Sequence, residues 1–364
     1  MPVERLSVDR SALAESLSAA MSGGRDELLP PFASRRGPVK TYALEVNARS
    51  EPIDRVERLA HSLQFRIATT DDPALTVLWQ DGVRMVIDTL DPRFWLVHTA
   101  SSAGVVQPLL QRTVWSSRDI DWCWFPAAQL RELQRRGDSR WFKSDFKGDE
   151  LLPPNGETAR RLKVQLEGED PEVLLENLLG NPRYRPSTAL TSIGVRLRDR
   201  ELGSVDEAAH YQGRFVARGD SFEVHLGFVS QAVGQYAESV RKLEDEFQIK
   251  WSGSPQEGAT FSGRVLTMSF GRPIADLDHF VAGLFSCKDP FRLWAVPQFL
   301  GKDFVAAEAV DLHIGEQIRL DISPTWLRLY LPEGACGNTI ARLFANLQHR
   351  YDATIDAGTE TVAA

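Results

Sequence analysis

The sequence predicts an α+β protein made of tandem split-βαβ, ferredoxin-like units with mixed or antiparallel sheets and helices packed on one face. Three observations carry that expectation. Short runs alternating in polarity recur along the chain, the period of a half-buried strand. Longer stretches between them place apolar residues three and four apart, the period of a helix lying on a sheet. The order strand–helix–strand–strand–helix–strand then recurs at about the length of a small domain.

The chain has 364 residues, of which 43 % are hydrophobic and 25 % charged. That composition excludes a disordered chain, a collagen-like fibre and a small disulfide scaffold. Residues 1–38 open with an amphipathic helix in which Leu13, Leu17 and Met21 lie four apart. A breaker-rich arm follows, from Gly23-Gly24 through Pro30-Pro31 to Gly37-Pro38. An apolar stripe outside the main fold needs a groove, its own or a partner's, so these three residues are expected to form a partner helix.

A first, tryptophan-rich unit spans 39–157. Tyr42, Leu44 and Val46 alternate as a strand, and a helix follows with Ile53, Val56, Leu59 and Leu63 on one face. Ser50 and Pro52 supply its start signals. Phe65 and Ile67 begin a second strand; Phe94–Thr99, Val105–Val114 and Trp122–Phe125 continue as strand, helix and strand, with Pro108 awkward inside the helix.

The second unit, 158–256, opens with Leu162, Val164 and Leu166. Its helix is bracketed by Asp170-Pro171 and Gly180-Asn181-Pro182. Ile193, Val195 and Leu197 form a strand, a hairpin-like region covers Gly213–Asp220, and Phe222, Val224, Leu226 and Phe228 read as another strand. A helix through Tyr236, Val240, Leu243 and Phe247 leads to Ile249 and Trp251. The third unit, 257–356, repeats the order from Leu266/Met268/Phe270, with an extra strand: Ile318–Ile322 and Leu327–Leu331 precede a helix through Ile340, Leu343 and Leu347. Residues 357–364 read as a tail.

The net charge is −8. Nucleic-acid binding rests largely on phosphate contacts and favours a basic excess, so such a role falls to a local patch if it exists. Three cysteines, Cys123, Cys287 and Cys336, match no zinc or redox spacing, which fits a reducing, bacterial-type cytoplasm. No window approaches the apolar length needed to cross a bilayer. Phosphate-loop, HExxH, GxSxG, GxGxxG and CxxC motifs are absent. No cofactor and no metal site are therefore expected.

Four clusters could carry chemistry. Asp145-Phe-Lys147, with Asp119 and Asp121 upstream, has the acid…acid-x-Lys form of a metal-dependent nuclease. Chance alone explains one such triplet among so many acids, and a solvated hairpin accounts for it. Cys336 lies between a strand and a helix, where a helix N-terminus would lower its pKa; glycines at a tight turn account for the same letters. Asp276-Leu-Asp278-His279 could be a ligand cluster, but acids in the first turn of a helix, favoured by its macrodipole, account for it. Two arginine-rich segments with aromatics, Arg135, Arg136, Arg140, Trp141 and Lys143 in one and Arg183, Tyr184 and Arg185 in the other, would make an anion-binding surface if they converge.

The function these residues predict is a non-catalytic recognition or scaffold protein that engages a protein partner or a second copy of itself, without a membrane. The alternatives are a nucleic-acid binder or nuclease using the Arg135–Lys147 region, and a thiol enzyme using Cys336.

Overall fold

A computed structural model describes residues 4–22, 37–47, 52–154, 160–253 and 260–358. The expected arm over 23–36, the helix-start residue Ser50 and the last residues, 359–364, lie outside this set.

In chain order the elements are β1 (Glu4–Arg5), α1 (Arg10–Ser22), β2 (Val39–Val46), α2 (Pro52–Leu63), β3 (Arg66–Thr69), β4 (Leu75–Gln80), β5 (Val83–Asp88), β6 (Phe94–Thr99), α3 (Ala103–Ser116), β7 (Ile120–Trp122), α4 (Ala127–Gln134) and β8 (Asp138–Lys147). There follow β9 (Arg161–Glu167), α5 (Pro171–Gly180), β10 (Leu190–Asp199), β11 (Gly203–His210), β12 (Arg214–Gly219), α6 (Phe222–Phe247), β13 (Gln248–Ser252) and β14 (Thr260–Ser262). The last are β15 (Leu266–Ser269), α7 (Leu277–Leu284), β16 (Leu293–Phe299), β17 (Val305–Asp311), β18 (Gln317–Ile322), β19 (Trp326–Pro332), α8 (Asn338–Arg350) and β20 (Asp356–Gly358). The class is α+β, with two largely antiparallel sheets and eight helices among the described residues. None of these helices is long and apolar enough to cross a membrane.

The chain forms two units. One comprises Met1–Cys123, Leu130–Arg140 and Ser192–Tyr236, the other Trp124–Gln129, Trp141–Thr191 and Ala237–Ala364. Neither is a continuous stretch, so the expected boundaries at 157/158 and 256/257 do not separate them.

In the first unit the strands run β1-β3-β4-β5-β6-β2-β12-β11-β10, with β7 also against β2. All eight residues of β2 are buried, the pattern of a strand covered on both faces. Helix α1 covers one face: Leu13, Leu17 and Met21 share a core with Val39, Ala68, Val77, Val86 and Ala217. The stripe predicted to meet a partner is thus buried against the chain's own sheet. Asp9 caps the helix by accepting the Ala12 N–H at 2.9 Å. Arg10 pins its first turn, donating to both carboxylate oxygens of Asp88 at 2.5 and 2.8 Å. Leu17→Ala is expected to destabilise the protein by about 2–5 kcal/mol, the range for a buried leucine, measured by urea denaturation. A loss below about 1 kcal/mol would mean that the helix does not stay docked.

In the second unit β13, β19, β18, β17 and β16 are successive neighbours, β14 extends β13, β15 pairs with β19, and β20 pairs with β15. Asp276 caps α7 by accepting the His279 N–H at 2.9 Å, just ahead of the first turn in which the sequence reading places it. One core joins inward residues of this sheet, such as Val305, Leu320 and Leu329, to Phe280 and Val281 of α7 and Leu343 and Leu347 of α8. Burial along β17 and β19 alternates, so the sheet keeps one face toward solvent.

Both units contain the same strand order. In the first, β2–α2–β3-β4-β5-β6–α3–β7 gives the sheet order β3-β4-β5-β6-β2-β7; in the second, β15–α7–β16-β17-β18-β19–α8–β20 gives β16-β17-β18-β19-β15-β20. The registers agree. Glu45 faces Phe94 on one side and Asp121 on the other, as Ser269 faces Trp326 and Asp356. Pro92 and Pro324 each stand two residues before the aromatic that begins the next strand.

The strands expected to close one sheet within 158–256 distribute otherwise. β12 pairs with β2, whereas β13 pairs with β19. The intervening α6 has 26 residues, roughly 39 Å at the helical rise, and does not return the chain to the strand it left. Its first turns include Phe222–Phe228, predicted as a strand; Ser221 Oγ accepts the Val224 N–H at 3.2 Å and starts a helix there.

Candidate functional site

The solvent side of the second sheet is set by strand parity. Trp294, Val296 and Gln298 of β16 face Val310, Glu308 and Ala306 of β17. Glu308 and Ala306 face Arg319 and Asp321 of β18, which face Tyr330 and Arg328 of β19. The alternate residues fill the core beneath α7 and α8, so this row is left outward. It holds two tryptophans, a tyrosine and two arginines, and none of the four strands contains a lysine.

Its polar groups are largely paired within the face. The Arg328 guanidinium lies over Trp326 at 4.4 Å and that of Arg319 over Tyr330 at 5.4 Å. Arg319 Nε donates to Asp321 at 3.2 Å, and the Tyr330 hydroxyl donates to the same carboxylate at 2.9 Å. Partial burial, then the bond to Asp321, pushes the Tyr330 phenol up, so it remains a donor. The apolar part is the edge strand: Val296 is 66 % and Trp294 48 % exposed, and Phe299 and Leu300 are exposed at its end. β16 ends the sheet order, and an edge strand offers backbone groups to an incoming strand.

The residues singled out in the sequence lie elsewhere. Asp145 Oδ2 is 3.4 Å from Lys143 Nζ on β8, and exposed Lys147 faces Arg161 across the ladder. Asp121 is buried and accepts the Trp122 N–H at 2.8 Å, while Asp119 accepts from Arg55 at 2.7 Å. Among the described residues no three His, Cys, Asp or Glu gather as a metal site would require. Arg135 and Arg136 are exposed beyond α4, and Arg140, Trp141 and Lys143 are half-buried. Arg183, Tyr184 and Arg185 are exposed, with Arg183 over the tyrosine ring at 5.9 Å. Cys336 does precede α8 but is only 1 % exposed.

A constellation absent from the sequence reading sits inside the first unit. Thr41 Oγ1 is 2.8 Å from His98 Nδ1 and 2.7 Å from His225 Nε2, and His225 Nδ1 is 2.6 Å from Glu207 Oε2. Hydroxyl, imidazole and carboxylate in that order have the geometry of an activated nucleophile. All four are buried, so no substrate reaches the hydroxyl and the chain of bonds is structural. Burial pushes His98 down to about 3 and Glu207 upward.

A family model described as MJECL33-like protein matches residues 3–362. The chain belongs to that family. It is similar to a protein of Methanocaldococcus jannaschii described as "Uncharacterized protein MJECL33", with 25 % identity over 358 residues, covering 86 % of this chain and 84 % of that one. No solved structure matches. The family description names no activity. The outward row was missed because Trp294, Trp326 and Tyr330 lie on two strands that are not adjacent. A usable signal existed: Trp326, Arg328 and Tyr330 share one parity of a strand whose other parity is Leu327, Leu329 and Leu331.

Proposed function

We propose that this protein is a non-catalytic recognition protein of the cytoplasm, and that the open face of its second sheet holds an extended segment of a protein partner along β16. The observation that carries this reading is the composition of the face: tryptophan, tyrosine and arginine with no lysine, beside an exposed apolar edge. Those residue types dominate the energetics of protein interfaces. An extended segment with alternating apolar side chains would add a strand to β16 and continue the row begun by Trp294 and Val296. Arg319 is already matched by Asp321 and Arg328 by a ring, so the segment needs no strong charge. That argues against a nucleic acid, whose phosphates require unmatched cations.

We also read the strand order shared by the two units as a split-βαβ plan widened by two strands in its meander, and hence as a tandem repeat. In each, a parallel pair joined by a helix (β6–α3–β7, β19–α8–β20) flanks the antiparallel strand that opens the order.

The test is selection of peptides from a display library against the full chain, followed by hydrogen exchange on the complex. Expected winners are alternating apolar sequences that protect β16 and lose at least about tenfold in affinity, roughly 1.4 kcal/mol, against Trp294→Asp/Val296→Asp. That variant should melt within a few degrees of wild type, both side chains being exposed. Winners that bind the variant equally well, or that protect other elements, overturn the reading.

A further inference from the structure

We infer that the open face of the second unit receives a strand–turn–helix segment of a partner protein. Its short strand runs parallel to β16, and its helix, with one basic residue in an apolar stripe, lies across the outward row. The inference rests on the reading above that a partner occupies this face, and it states the form that partner takes. The repeated strand order carries it. With Glu45 matched to Ser269 and Phe94 to Trp326, the ladders set each strand of one unit against its counterpart in the other. Val86 of β5 falls at Arg319 of β18, Val77 of β4 at Glu308 of β17, and Ala68 of β3 at Val296 of β16.

In the first unit this row is covered by the chain's own beginning. β1 pairs parallel with β3, Glu4 against Ala68 and Arg5 against Thr69, and the Leu6 N–H donates to the Thr69 carbonyl at 2.9 Å. The chain turns through Asp9, and α1 then brings Leu13, Leu17 and Met21 into one core with Ala68, Val77 and Val86. In the second unit the counterparts of those three bed residues, Val296, Glu308 and Arg319, lie open to solvent. One copy of the strand order therefore carries a strand and a helix on this side, and the other presents the same register bare.

The chemistry of the bed sets the occupant. Charges stand at 308 and 319 where the first unit has valines, so α1 of a second copy would press its leucines onto a carboxylate and a guanidinium. The guanidinium is answered from within: Asp321, at the position of Asp88, accepts from Arg319 at 3.2 Å, whereas Asp88 accepts from Arg10 of α1. Glu308, exposed at the middle of the row, is then matched by a basic residue of the incoming helix, while Val296, Ala306 and the Trp326 ring take apolar ones. Pro297 stands where Thr69 does. Its carbonyl serves a strand as that of Thr69 serves Leu6, but its missing N–H stops a longer ladder. Nearer the start of β16 the Leu293 carbonyl already accepts the Cys287 N–H at 3.2 Å. The strand contact is therefore short, as β1 is with two residues, and the helix buries most of the area.

Two displayed peptide libraries are selected against the full chain. One keeps residues 4–12 of this sequence as strand and turn and varies Leu13, Leu17, Met21 and the residues beside them. The other holds extended segments with a proline at every fourth position, which forbids a helix. Winners of the first are expected to carry Lys or Arg within the stripe, to gain helical circular dichroism on binding, and to bind at least about tenfold more tightly than extended winners. Glu308→Lys, an exposed change that should melt within a few degrees of wild type, should weaken them at least about tenfold, and replacing their basic residue by Glu should restore most of that loss. Extended winners of equal affinity overturn this inference and leave the partner reading in place. Undiminished binding to Glu308→Lys also overturns it, as does the unaltered segment 4–22 binding as tightly as the winners, which would make the occupant a second copy. No winner from either library overturns both readings.

Discussion

Arg342→Ala is expected to lower stability by about 3–5 kcal/mol, the cost of leaving a buried charge without its partner. Arg342 on α8 is 1 % exposed and Asp311 at the end of β17 is fully buried. Arg342 Nη2 donates to Asp311 Oδ1 at 2.5 Å, and its Nε donates to the Phe291 carbonyl at 3.2 Å. The other Asp311 oxygen accepts from Thr339, and the His313 N–H donates to Oδ1 at 2.9 Å. Alanine removes the cation and leaves the carboxylate in place. The double variant Arg342→Met/Asp311→Asn, which removes both charges, should recover much of the loss, because replacing both partners avoids the stranded charge. Urea midpoints of the two variants and wild type measure it. A double variant as unstable as Arg342→Ala would show that packing, not charge, governs the site.

The second large effect is on pH. Burial holds His98 in the first unit and His349 in the second down to about 3, against 6.5 for the free ring. Between those values the unfolded chain binds protons that the folded chain refuses, so stability present above pH 6.5 is lost as pH falls toward 3. Each histidine approaches about 1.4 kcal/mol per pH unit only below the range where the unfolded ring titrates, so the two together remove roughly 2 kcal/mol between pH 6.5 and 5.5. Glu207, pushed upward by burial, acts with the opposite sign, which makes the difference between proteins the decisive reading. His98→Asn, which keeps an acceptor near Thr41, and His349→Gln should each flatten the fall in urea midpoint by about half. Unchanged slopes in both would mean that these rings protonate inside the fold.

Local chemistry was legible where it marked its own limits. Asp170-Pro171 and Gly180-Asn181-Pro182 bracket the helix found at Pro171–Gly180, and the alternation of Leu327, Leu329 and Leu331 is the buried row of β19. β11 escaped because its inward row, Val205, Glu207 and Ala209, includes a carboxylate made tolerable by His225 and the Val216 backbone N–H. The start of α6 escaped because Val224 and Leu226, partly buried against the same core as Phe222, supply a false period of two. Strand neighbours were not legible, since alternation fixes which side chains face inward but not which strand lies alongside. The sites suffered most. Thr41, His98, Glu207 and His225 meet only through the topology, and the same long reach sets Tyr42 across from Arg214 on β2 and β12.

That last pairing also bears on how the protein is made. The register that sets Tyr42 beside Arg214 joins segments whose emergence from the ribosome is separated by about 170 residues, on the order of ten to forty seconds of synthesis. For that interval residues 39–42 of the nascent β2 lack their neighbour on one flank, leaving backbone groups open to a wrong strand. A ribosome stalled before Arg214 therefore carries a chain whose first unit is unfinished, and chaperone engagement should concentrate in that window.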